Sequence, residues 1–70
     1  MKFDANELYE IAIKVYREED FLFEGERGYS QREGIGEWAY ESAKENYINE
    51  QEVIDELKSH IKKEKSFFEK

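Results

Sequence analysis

A glutamate stands at every fourth position of one stretch: Glu33, Glu37, Glu41 and Glu45. On a helix this spacing stacks like charges along one edge, which opposes helix formation by about 0.2–0.5 kcal/mol per pair. Folding alone has no need of such a row. Carboxylates one helical turn apart recur every roughly 6 Å, comparable with adjacent phosphates on a nucleic-acid strand. A protein surface rich in lysine and arginine is therefore the partner this spacing fits. The plainer alternative is a solvated face in a glutamate-rich chain.

Other chemistry has less to stand on. His60 is the only histidine, with Glu56 and Glu64 one turn away on either side. One nitrogen and two carboxylates make a weak metal set, and a helix-face histidine beside the core is the simpler reading. The Gly34-Ile35-Gly36 triplet starts like a phosphate loop. It has neither the third glycine of a dinucleotide fingerprint nor the Gly-Lys-Ser/Thr of a Walker loop. No cysteine is present, which removes disulfides, thiolate metal sites and a thiol nucleophile. Nothing singles out Ser30, Ser42, Ser59 or Ser66 as a nucleophile held beside a base in a cleft, and three short helices leave little room for a pocket of about 300 Å³. The expectation is a protein that is not an enzyme, with no catalytic, cofactor-binding or metal-ligating residue.

Charge is unevenly divided. The chain carries 18 acidic and 11 basic residues, a formal net charge of -7. Residues 58–70 hold five basic and two acidic groups, or +3, against -10 for residues 1–57. Lys58, Lys62, Lys63 and Lys65 fit a helix C-terminus, whose negative end they complement. They also leave open a nucleic-acid contact, with the last two helices as a helix-turn-helix, or a membrane-surface contact together with Phe67 and Phe68. The remaining negative charge opposes both, so nucleic acid and membrane are not the expected partners. The first residues show no signal-peptide core and no apolar run is long enough to span a bilayer, which fits a cytoplasmic protein.

The elements that position these residues read as three helices, near 4–20, 31–47 and 50–68, in one all-α domain over residues 1–70. Asp4 and Glu7 form a capping box flanked by Phe3 and Leu8 as a staple, and Leu8, Ile11, Ala12 and Val15 trace the buried stripe. The first helix ends between Arg17 and Glu24, with Gly25 placed to cap it. Residues 25–30 read as a loop, with a hairpin from Phe21-Leu22-Phe23 to Tyr29 as the alternative. Ser30 and Glu33 mark the second helix start, weakened by Gly34 and Gly36, and Ile35, Trp38, Ala39, Ala43 and Tyr47 form its core side. Asn49 and Glu52 start the third helix, with Ile48 and Val53 as staple and Val53, Ile54, Leu57, Ile61 and Phe68 as stripe.

A 70-residue chain buries only about 60% of its unfolded surface, so a second copy would help it. Two large aromatics near the chain end, Phe67 and Phe68, are the expected oligomer contact of a homodimer. By charge and size, the nearest analogy is to small acidic helical proteins, such as those of phages and other mobile elements. These occupy basic nucleic-acid-binding surfaces or neutralise a basic toxin or enzyme. No motif is shared. The leading expectation is thus a non-catalytic interaction module, an inhibitor or nucleic-acid mimic, that meets a basic protein partner through Glu33, Glu37, Glu41 and Glu45. A helix-turn-helix binder using the lysines and a structural homo-oligomer are the alternatives.

Overall fold

The computed structural model describes residues 2–68, and the side chain of Phe68 lies outside the described set. Three helices follow one another: α1 (Ala5–Glu18), α2 (Gly25–Ser42) and α3 (Glu50–Phe68). No strand forms among the described residues, so the Phe21-Leu22-Phe23 hairpin is set aside.

The start of α1 is the capping box its sequence spells out. The Glu7 N–H donates to the Asp4 carboxylate at 2.8 Å, and the Asp4 N–H to Glu7 Oε1 at 3.1 Å. Behind it, Leu8, Ala12 and Val15 are buried at the predicted spacing, and Tyr16 joins them. The end differs in its device. The left-handed residue that caps α1 is Asp20, at φ 54, and not Gly25 five residues later. The Asp20 N–H then donates to the Arg17 carbonyl and the Phe21 N–H to that of Tyr16, the paired bonds of a Schellman motif. The rings of Tyr16 and Phe21 stack with centroids 6.3 Å apart, giving that motif its usual apolar contact.

α2 is displaced from its expected span by several residues at each end. Residues 25–30 are its first turns rather than a loop, and Ser30 sits inside the helix, where it cannot cap. The true start has no side-chain cap at Glu24; Gly25 opens the helix at φ 68. The connector from α1 is instead held by side chains reaching back from α2. Gln31 accepts from the Phe23 N–H at 2.9 Å and donates to the Phe21 carbonyl at 2.8 Å, pairing both amide groups with the backbone. Arg32 donates to the Phe23 carbonyl at 3.1 Å. That carbonyl lies against Gly28, where an added Cβ would stand 2.3 Å from it. At its other end α2 stops at Ser42, because Tyr47 must leave the helix to be buried. Its ring meets Phe3 edge-on at 6.2 Å, and its hydroxyl donates to Glu56 at 2.8 Å. Ala43 and Tyr47 therefore belong to the connector and not to the α2 stripe.

α3 starts as expected, with the Glu52 N–H donating to Asn49 Oδ1 at 3.1 Å. Ile48 is no staple, however: it is 79% exposed while Val53 is fully buried. Val53, Leu57 and Ile61 face the core, and Phe3 through Tyr47 and Tyr16 through Glu64 show that α3 runs parallel to α1. Near its end Lys65 donates to the Glu19 carbonyl at 3.0 Å and lies 5.7 Å from the centre of the Phe21 ring. α1 packs against both other helices, yet the backbones of α2 and α3 do not approach one another among the described residues. No described helix is long and apolar enough to cross a membrane.

The close seat of Gly28 on the Phe23 carbonyl carries a test. Gly28→Ala should lower stability by about 1–3 kcal/mol in urea unfolding, despite the better helix propensity of alanine, because the backbone neighbour must be pushed aside. Unchanged or higher stability would show that the contact is slack.

Candidate functional site

Glu33, Glu37 and Glu41 lie exposed on the outward face of α2, whereas Glu45 falls in the turn beyond its end and leaves the row. The row thus has three members on the helix. Two tyrosines join it: Tyr29 is 69% exposed and Tyr40 65%. Counting round the helix at 100° per residue, Tyr29, Glu33, Gly36, Glu37, Tyr40 and Glu41 occupy one side, opposite the buried Gly28, Ile35 and Ala39. Gly36 leaves an open hollow of about 540 Å³ bounded by Glu33, Glu37, Tyr40 and Glu41.

One cation of the chain lies against this face. Lys44 Nζ lies 3.7 Å from the Glu41 carboxylate and 5.3 Å from the centre of the Tyr40 ring. An ammonium thus meets a carboxylate and the face of an aromatic ring, a pairing that favours lysine and arginine. Both partners are well exposed, so this one contact contributes little to folding.

On the other flank of α2, the gap between α2 and α3 forms a groove of about 820 Å³. The sequence implies little room for a pocket of about 300 Å³, and this open groove is larger. Tyr16 of α1 forms part of its lining, with Phe23, Ile35 and Trp38 toward α2 and Leu57 and Phe67 toward α3. Trp38 is partly buried, packed against the core and also lining the groove; its indole Nε1 is itself buried and has no hydrogen-bond partner among the described residues. Gly34 lines the same groove, with nothing within 4 Å of where its Cβ would stand. Phe67, expected as an oligomer contact with Phe68, is 74% exposed at the groove's end.

His60 also borders this groove, 3.9 Å from Glu56. The two carboxylates flanking it are turned to other work. Glu56 accepts from the Tyr47 hydroxyl, and Glu64 accepts from the Tyr16 hydroxyl at 3.1 Å. No cluster of three or more metal-ligating side chains assembles among the described residues. Lys58, Lys62 and Lys63 are exposed on α3, while Lys65 is drawn in against Glu19 and Phe21.

Comparison with known protein families, curated proteins and solved structures found no match for this chain. Its function must be read from its own surfaces.

The tyrosine braces make the fold sensitive to alkali. Burial, then the neighbouring Glu64 charge, pushes the Tyr16 hydroxyl well above its ordinary value of 10.0, and burial together with Glu56 raises Tyr47 against an opposing hydrogen bond from Ser42. Below pH 10 both are protonated whether the chain is folded or not, and their contribution is intact. Above it the unfolded chain releases protons that the folded chain retains, so stability falls as pH rises. Tyr16→Phe should destabilise the protein at pH 7 by about 1–2 kcal/mol and make the decline between pH 9 and 11 shallower, measured by urea midpoints. An equally steep decline in the variant would contradict the assignment.

Proposed function

We propose that the protein is a non-catalytic, cytoplasmic interaction module that receives a basic protein surface on the outward face of α2. The observation that carries this reading is the face itself: three carboxylates and two exposed tyrosines on one side of a helix, bracketing a hollow that Gly36 keeps open. Each component suits a lysine- or arginine-rich partner. The carboxylates supply charge at a one-turn repeat, the rings supply cation–π faces, and the hollow admits a side chain between them. The Lys44 contact with Tyr40 and Glu41 is the same chemistry within the chain.

A net charge of -7 adds long-range attraction toward such a partner and repels nucleic acid. Because the carboxylate repeat approximates that of phosphates, a nucleic-acid-binding surface is the favoured kind of target, and the outcome of binding would be inhibition by mimicry. Stability does not explain the row. Two successive like-charge pairs, Glu33–Glu37 and Glu37–Glu41, oppose the helix by roughly 0.4–1 kcal/mol in total.

Replacing Glu33, Glu37 and Glu41 together by glutamine should hold or raise the melting temperature. It should also abolish salt-sensitive capture of basic proteins from native cell extract, read by mass spectrometry of the bound fraction. Glu45→Gln, beyond the helix, should leave capture nearly unchanged. Equal capture by the triple variant and the wild type would refute the reading.

A further inference from the structure

The groove between α2 and α3 is a second feature that folding does not need. In a three-helix core each helix ordinarily shields its neighbours' apolar sides; here the backbones of α2 and α3 stay apart, and the space between them is bounded by Ile35, Trp38, Leu57 and Phe67. From Leu57 to Phe67 the α3 wall is eleven residues, about 15 Å from end to end at the helical rise. That is the length of three helical turns, and the position is the one a fourth helix would take in a bundle.

We infer that this groove docks an amphipathic helix with cationic flanks, belonging to the partner protein; the inference rests on the basic-partner reading above. Three observations choose the occupant. First, Gly34 leaves the α2 wall bare where any other residue would favour the helix, and a Cβ-free position lets another backbone approach closely. Second, Trp38 lines that wall while only partly buried, so its ring offers apolar surface that the stripe of a docked helix would cover. Third, the lining places carboxylates on both sides, Glu26 on α2 and Glu64 on α3, while its guanidinium, Arg27, lies 4.4 Å from the centre of the Phe23 ring. Cationic flanks complement those carboxylates.

A second copy of this chain suits the groove poorly. The outward face of α3 presents Gln51, Asp55, Lys58 and Lys62 without an apolar stripe, and that of α2 is acidic. The buried side of α1 is committed to the core.

Trp38 is the only tryptophan, so its emission reports directly on the groove. The probe is a synthetic leucine/lysine peptide of roughly three turns whose leucines form one helical stripe. A peptide of the same composition with the stripe scrambled is the control. The striped peptide should shift Trp38 emission to shorter wavelength and saturate at one peptide per chain, with the scrambled peptide at least tenfold weaker. Gly34→Leu fills the groove wall, and Ser30→Arg, on the same wall, adds a repelling charge; both substitutions favour helix. Each should weaken the striped peptide at least tenfold while far-ultraviolet circular dichroism stays unchanged. The triple glutamine variant of the outer face should still give the emission shift, so failure of the groove and failure of the outer face are told apart. An emission shift that persists in both groove variants, no shift at all, or a wild-type dimer that Gly34→Leu converts to monomer would overturn the proposal.

Discussion

The architecture depends on α1 being the single helix on which both others pack. Leu8 and Ala12 are completely enclosed and Val15 and Tyr16 nearly so, which leaves α1 with apolar contacts on two sides and makes it the core element of a very small domain. A chain of this size builds only a marginal core. It ties α2 to the connector that follows α1 through Gly28, Gln31 and Arg32, joins α3 to α1 and its cap through Tyr16–Glu64 and Lys65–Glu19, and leaves the third side open.

That open side gives α2 three environments. One face packs on α1 through Gly28, Ile35 and Ala39; a second, with Gly34 and Trp38, lines the groove; the third carries the glutamates and tyrosines. A helix with so little of its circumference committed to the core has no strong apolar stripe, and its sequence shows this as scattered apolar positions broken by glycines. In such a helix the choice of residue is released from packing and answers to other demands. The like-charge row and the two glycines both lower helix stability, and both fall where the surface is concave.

The first and third helices were legible because their signals are local. A capping box, an asparagine cap and apolar residues at helical spacing act within a few residues of one another, and Asp4–Glu7 and Asn49–Glu52 formed where they were read. The second helix was misplaced because its boundaries are set at a distance. Its start is fixed by Gln31 and Arg32 gripping backbone groups eight to ten residues earlier, and its end by the pull of Tyr47 toward Phe3. Ser30 and Glu33 satisfied the local pattern of a helix start in the wrong place. The error carries into the site: Tyr29 reads as loop and is not joined to the glutamates, and Glu45 counts on a helix that ends before it. The groove leaves almost no trace in the sequence, since the separation of two helix backbones is written in neither of them. The one hint was Gly34 a turn before Trp38, a bare position beside the largest side chain.

If α2 is shaped for binding at the expense of its own stability, its two open glycines should separate the two properties. The direct measurement is thermal unfolding and basic-protein capture of a Gly34→Ala, Gly36→Ala double variant, since nothing in the fold lies within 4 Å of either added methyl group. Stability should rise by about 1–2 kcal/mol, several degrees in melting temperature for a domain of this size, while capture weakens. A lower melting temperature, or a more stable variant that captures its partner as well as the wild type, would contradict the account.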